Sequence, residues 1–247
     1  MNLRRPRALR PGDRLAVVAP ASPFPRASFE AGAAGLPPRG LVPDERIFDV
    51  DLYEAGTPAT RAALMCQALE DPAIHGVVAV RGGYGSVKLL PRLLAALVRE
   101  AAKPIIGYSD LTTLLDYCVS RCGLVAFQGP MLDSRFSKGE AAYDRDSFLR
   151  AVGDAAPLGE LAGDALEVLT PGEAAGPLLG GTLTQLVASL GTPYAFAPPQ
   201  GHVLWIEDVG ERPYKLDRML TQLRQAGVLA RAAALVFGDM HDCDGPS

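Results

Sequence analysis

Histidine is scarce in this chain, with three residues in 247, at positions 75, 202 and 241. Any chemistry that needs imidazole as a base or a metal ligand therefore has few candidates. Cysteine gives no metal signature either. Cys118 and Cys122 are four residues apart, Cys66 and Cys243 stand alone, and no matching pair completes a zinc spacing. Three of the four read as small core residues of a reducing compartment, and Cys243 has no assignment. Basic residues are not in excess: the net charge of -4 argues against nucleic acid or an anionic membrane as the main partner. The arginines at positions 4, 5, 7 and 10 read as a local, solvated cluster. No run approaches the ~20 apolar residues of a membrane span. Residues 15–19 are too few for a signal-peptide core. A cytoplasmic location is the default expectation.

The chain does have enough apolar residues, 48%, to build an ample core in one large or two modest domains. Strand and helix signals alternate along its first part. Residues 13–19 (DRLAVVA) read as a strand closed by a turn, 60–70 as a helix, and 76–80 (GVVAV) as a strand buried on both faces. A helix over 86–100 follows, then a strand at 103–108, a helix from Asp110 to the stop at Gly123, and a strand at 124–127. Residues 31–46 show no period and read as loop or short irregular helix. The alternation predicts an α/β domain over residues 1–153, with a doubly wound parallel sheet and function at the carboxyl ends of its strands. From 154 to 181 the composition turns to Ala, Gly, Pro and acidic residues, a candidate linker in which 165–169 (ALEVL) could be a strand. A smaller domain over 154–247 would hold a helix at 182–190, a strand at 202–207, a helix at 214–225 and a strand at 233–237.

Gly107-Tyr108-Ser109-Asp110 marks a strand-to-helix junction. A serine there is either a helix N-cap or the nucleophile of an elbow, with the next backbone N–H available to an oxyanion. Arg81-Gly82-Gly83-Tyr84-Gly85 directly follows a strand. It could bind phosphate, supply a second oxyanion donor, or only turn the chain. It matches neither the dinucleotide nor the P-loop fingerprint, so phosphate is the weakest of the three. Glu207 and Asp208 end a strand, and alternation lets one of them face a site. The plain alternative is a solvated strand end or a helix-capping acid. His75 lies at the wrong end of its strand. His202 starts the strand that Glu207 ends, roughly 16–17 Å away along an extended chain. His241 follows a strand end, on a loop that is either exposed or beside a site.

Five segments then occur in order: RPGDRLAVVAPASP, AVRGGYGSVKLLP, PIIGYSDLTTLL, GGTLTQLVASLGTPY and IEDVGERPYKLDRMLTQL. Together they strongly resemble the LD-carboxypeptidases (muramoyltetrapeptide carboxypeptidases), a family that includes the microcin-C immunity peptidases. The resemblance spans Leu9 to Asp244. It implies a cytoplasmic serine peptidase with a Ser-Glu-His triad between an N-terminal α/β domain and a smaller β-rich C-terminal domain. Its reaction would release the terminal D-alanine of murein tetrapeptide during peptidoglycan recycling. Carried over by motif, Ser109 is the nucleophile and Glu207 orients the histidine. The N–H groups of Asp110 and Gly83 (or Gly82) form the oxyanion hole. No metal or organic cofactor is implied. The partner is a small muropeptide rather than nucleic acid or membrane, and a homodimer is left open. Two alternatives stand: an immunity-type peptidase acting on a peptide or aminoacyl nucleotide, and a silent remnant that binds muropeptides.

Three departures qualify the resemblance. Gly180-Gly181-Thr182-Leu183 stands where the family usually has Gly-Gly-Asn-Leu. Residues 24–48 look shortened and Pro-rich, which puts the first crossover helix in question. The family's histidine lies in a Gly-His segment several dozen residues beyond the stretch matching Gly238-Asp239, and Ser247 ends this sequence first. The expectation is an incomplete C-terminal domain with exposed apolar surface around 233–237. The chain should be nearly inert unless His241 serves as base.

Overall fold

The computed structural model describes residues 3–36, 40–161 and 166–245. The first region runs β1 (Arg14–Val18), α1 (Arg26–Gly35), β2 (Gly40–Pro43), α2 (Pro58–Glu70), β3 (Gly76–Ala79), α3 (Ala95–Ala101), β4 (Ile105–Gly107), α4 (Thr112–Ser120), β5 (Phe127–Gln128) and α5 (Arg145–Gly153). Its five strands are all parallel, in the order β2-β1-β3-β4-β5. Alternation along β3 fills both faces. Val77 and Ala79 pack with α2, α3 and α4, while Val78 and Val80 pack with Phe29 of α1 and Phe148 and Val152 of α5. The sheet is doubly wound, as the strand–helix alternation predicts. Its order reverses between β1 and β3, and the crevice of such a sheet opens there, at the carboxyl ends.

Two local expectations fail, and one segment left in question is helical. Residues 24–48 contain a ten-residue helix, α1. It has no side-chain cap and is fixed by packing, because a side chain on Gly32 or Gly35 would run into the backbone of Leu132 or Phe136. The helix expected over 86–100 is split into a 3-10 helix at Ser86–Arg92 and α3, since Pro91 and the extended Leu93 and Leu94 interrupt it. Residues 166–169 form no strand: Leu166, Val168 and Leu169 are exposed with no neighbouring strand to pair with. Residue 165 lies outside the described residues.

The second region comprises β6 (Leu178–Thr182), α6 (Leu183–Ser189), β7 (His202–Val209), α7 (Pro213–Gln225), α8 (Val228–Arg231) and β8 (Ala232–His241). Its smaller sheet is parallel, in the order β6-β7-β8. Even-numbered residues of β7, such as Leu204 and Ile206, pack against Leu183, Leu186 and Leu223 of α6 and α7. The odd-numbered ones, Trp205 and Glu207 among them, point to the opposite face. On the edge strand β8, Leu235, Val236 and Phe237 are exposed. The second region meets the first where the Thr182 N–H at the end of β6 donates to Thr112 Oγ1 at the start of α4, at 3.1 Å.

Candidate active site

Ser109 sits at φ +62°, in the left-handed region that non-glycine residues avoid. Tyr108 before it is extended, and a 3-10 turn at Ser109–Leu111 leads into α4. This is the tight strand-to-helix turn expected of an elbow. Ser109 caps neither the 3-10 turn nor α4, whose capping positions are Tyr108 and Leu111. The capping reading therefore fails.

The glycine turn after β3 lies against this serine. A side-chain carbon on Gly82 would sit 3.0 Å from Ser109 Cβ, 3.1 Å from its Oγ and 3.4 Å from the Asp110 N. Gly83, at φ +102°, instead backs onto Ser22 in the turn after β1. Ser22 pins the turn: its N–H donates to Gly82 O at 3.2 Å and its Oγ accepts from the Tyr84 N–H at 3.1 Å. Both bonds leave the N–H groups of Gly82 and Gly83 free of Ser22. From the other side, the buried Asp110 carboxylate accepts the Ser86 N–H at 2.8 Å, and Ser86 Oγ donates to Asp110 O at 2.7 Å. Burial pushes the Asp110 carboxyl up, and the bonds from Ser86 draw it back.

Beneath these turns lies an ionic anchor with no motif to reveal it. Arg61, buried on α2, donates to Gly85 O at 2.9 Å and Gly56 O at 3.1 Å, and also to Pro20 O. It pairs with the buried Glu54 at 2.5 Å, which also holds Lys88 at 2.5 Å. Burial pulls the Arg61 guanidinium down, and Glu54 offsets part of that. The loops following β1 and β3 are thereby tied to one cation at the switch point.

Glu207 comes from the second sheet. The Thr182 hydroxyl, opposite it in the register, donates to Glu207 Oε1 at 2.5 Å. Thr182 stands where the resemblance leads one to expect an amide side chain. Burial pushes the Glu207 carboxyl above its ordinary range. The Thr182 bond and Arg135 draw it back, while Asp208 and Asp239 add to the rise. Asp208 points the other way: it is buried, and its Oδ2 accepts the Thr184 N–H at 2.9 Å and hydroxyl at 2.8 Å. Alternation therefore turns Glu207, and not Asp208, to the open face of the strand. A cavity of about 310 Å³ opens beside it, lined by Tyr108, Arg135, Tyr143, Trp205, Glu207 and Asp239 among others. A larger, mainly apolar cavity of about 470 Å³ lies between α4, α5 and β6.

The histidines stand apart. His75 Nδ1 accepts the Arg14 N–H at 3.0 Å at the far end of β3. His202 is buried, with Nδ1 2.9 Å from Pro199 O. His241 is not on a loop but ends β8, where the sheet extends four residues past the expected 237. It pairs with Val209, so it shares the face of Glu207. Its ring is exposed, with Nε2 3.4 Å from Asp242. Among the described residues no histidine bonds to Ser109 or Glu207, and no three His, Cys, Asp or Glu side chains cluster to hold a metal.

Residues 15–129 match the LD-carboxypeptidase N-terminal domain, and residues 175–247 the LD-carboxypeptidase C-terminal domain. The chain belongs to the LD-carboxypeptidase family. A Streptomyces coelicolor protein bearing a carboxypeptidase name is 38% identical over 97% of this chain and 79% of its own length. The murein tetrapeptide carboxypeptidase of Pseudomonas aeruginosa is 32% identical over 93% of this chain and 77% of its own. Among solved structures, the muramoyltetrapeptide carboxypeptidase of Oxalobacter formigenes superposes with a TM-score of 0.76 at 28% identity, covering 91% of this chain and 76% of that one. The Microcin C7 self immunity protein MccF, in its inactive mutant apo state, superposes at 0.83 and 25% identity, covering 100% and 83%. Family membership makes the protein a peptidase of the carboxypeptidase kind. No described helix is long and apolar enough to cross a membrane.

Proposed function

We propose that this LD-carboxypeptidase is a serine peptidase that hydrolyses the L,D-amide of murein tetrapeptide and frees the terminal D-alanine, a cytoplasmic step of peptidoglycan recycling. The observation that carries the reading is Ser109 itself: a serine held at φ +62° beside Gly82, with its hydroxyl committed to no cap. Its Oγ attacks the scissile carbonyl carbon as its proton passes to a base, and the negative charge forms on the carbonyl oxygen. The Asp110 N–H and an N–H of the Gly82-Gly83 turn receive that charge. The adduct collapses by breaking the C–N bond, D-alanine leaves with that proton on its amine, and water then hydrolyses the acyl-serine. Fixed backbone dipoles in a partly dry crevice stabilise a transition-state oxyanion more than a ground-state carbonyl. Glu207 would hold and neutralise the imidazolium formed when a histidine takes the serine proton.

None of the three histidines bonds to Ser109 or Glu207, so the 247-residue chain is expected to be a slow catalyst. Oxyanion stabilisation and binding alone retain roughly 10³–10⁴-fold over water. Murein tetrapeptide incubated with the chain should therefore bind, and should release D-alanine slowly. The reading fails if the peptide neither binds nor loses D-alanine. A second reading, cleavage of a peptide or aminoacyl nucleotide, draws on the likeness to MccF, one of whose structures is described as a complex with aspartyl sulfamoyl adenosine. Hydrolysis of such a conjugate, with murein tetrapeptide left intact, would favour it.

A further inference from the structure

The cavity beside Glu207 has a single cation in its lining, Arg135, and two carboxylates, Glu207 and Asp239. Arg135 forms no ion pair among the described residues. Its guanidinium makes one long contact, 3.4 Å to Ala142 O, and lies 6.0 Å from the Tyr108 ring centre. The other arginine near the serine, Arg81, is matched by Asp133 at 3.2 Å. A second observation concerns Tyr143, which lines the same cavity. Its hydroxyl is buried without a hydrogen-bond partner, while its ring is held edge-on by Phe136 and Phe148, at 4.9 and 6.3 Å between centres. Buried phenols ordinarily find an acceptor.

The support under both residues is firm. The Leu132 N–H donates to Ala79 O at 3.3 Å and the Asp133 N–H to Val80 O at 2.8 Å, which fixes the segment to the end of β3, and Phe136 anchors it in the core. Arg135 and Tyr143 thus line one cavity, which also touches Tyr108, the residue before the nucleophile. A planar fork of N–H donors matches a carboxylate better than any other common anion except phosphate.

We propose that Arg135 and Tyr143 form a clamp for the free α-carboxylate of the substrate's terminal D-residue. The proposal rests on the carboxypeptidase reading and deepens it, by naming the groups that make the enzyme cut at a chain end. An enzyme that removes terminal residues must read a carboxylate there. A carboxylate beside Glu207 and Asp239 would be repelled unless a cation met it.

The test is calorimetric binding to the whole 247-residue chain carrying Ser109→Ala, which prevents turnover. Two probes are compared: murein tetrapeptide with a free terminal carboxylate, and the same peptide ending in a carboxamide. The acid should bind at least about tenfold more tightly, as charge-assisted bonds do. Adding Arg135→Met should weaken the acid about 10–100-fold and leave the amide within about twofold, so the preference collapses. Tyr143→Phe, which keeps the ring and its stacking, should cost the acid about 3–10-fold and spare the amide. Arg135→Lys should fall between wild type and Met, having the charge without the fork. Loss of both peptides to the same degree in Arg135→Met, or an unchanged preference, overturns the clamp while leaving the carboxypeptidase reading intact. Failure of either peptide to bind the Ser109→Ala background, with no D-alanine released by wild type, overturns both.

Discussion

Thr182 and Glu207 stand opposite each other across β6 and β7, and the threonine hydroxyl donates to the carboxylate at 2.5 Å. This bond works against burial, which favours the neutral acid. Thr182→Val keeps the shape and removes the donor, so the Glu207 titration should move to higher pH, read by NMR of carboxyl-labelled glutamate. The sign for stability follows. A carboxyl with a folded-state pKa above its unfolded value destabilises the fold when ionised, and that cost disappears as pH falls through the folded pKa and the ordinary carboxylate range. Thr182→Val should therefore lose more stability at pH 8 than at pH 4. An unmoved or lowered titration would mean that the hydroxyl does not serve the carboxylate.

Gly82 and Gly83 should separate by phenotype. Alanine at Gly82 meets no positive φ, but its methyl would lie 3.1 Å from Ser109 Oγ and 3.4 Å from the Asp110 N, where an oxyanion would sit. Thermal unfolding should shift by about 1 kcal/mol or less, while D-alanine release falls to background. Alanine at Gly83 takes on φ +102° and a collision with Ser22, so it should cost about 2–4 kcal/mol of stability. Equal behaviour of the two variants would remove Gly82 from the site.

The neighbours Glu207 and Asp208 should also differ in kind. Glu207→Gln should leave the melting temperature nearly unchanged and, with imidazole supplied in solution as the base, lower the turnover number more than it alters KM. Asp208→Asn weakens the acceptor for the Thr184 N–H and hydroxyl in a buried setting, and should cost about 1–2 kcal/mol of stability with little change in peptide binding. The reverse order would place the wrong acid at the site.

How far these features could be read in the sequence depended on how local their causes were. The elbow at Ser109 and the turn at 82–85 were legible because glycine, strand ends and helix starts act over a few residues. A period of two along one strand set Glu207 and Asp208 on opposite faces, and the resemblance rather than the period chose Glu207. Helix α1 was hidden, since its stability comes from Gly32 and Gly35 lying against the backbones of Leu132 and Phe136, about a hundred residues away. Arg61 and Glu54 were equally silent: a buried ion pair beneath two loops leaves no spacing behind. The strand expected near 166–169 had suitable residues and no partner. His241 was placed on a loop because the pairing of β8 with β7, which extends it, is tertiary.

Asp116, on α4 beside the larger cavity, has its carboxyl pushed up to about 7 by burial, with Ser120 and Arg121 offsetting only part. Ionised Asp116 thus opposes folding. The cost begins above the unfolded value of 3.8, grows to about pH 7 and is constant beyond it. Asp116→Asn should be about 1–3 kcal/mol more stable than wild type at pH 8, with the gain shrinking towards pH 4. Urea unfolding at both pH values measures this, and an advantage that grows in acid would contradict it.

The central claim, that Ser109 performs the cleavage with help from an imidazole base, has one direct test. Murein tetrapeptide is incubated with the 247-residue chain and with Ser109→Ala, across a series of imidazole concentrations at neutral pH, and free D-alanine is measured. The account predicts that imidazole accelerates release by the wild-type chain, that Ser109→Ala shows no acceleration, and that His241→Ala responds as wild type does. Equal rates with and without Ser109, at every imidazole concentration, would contradict it.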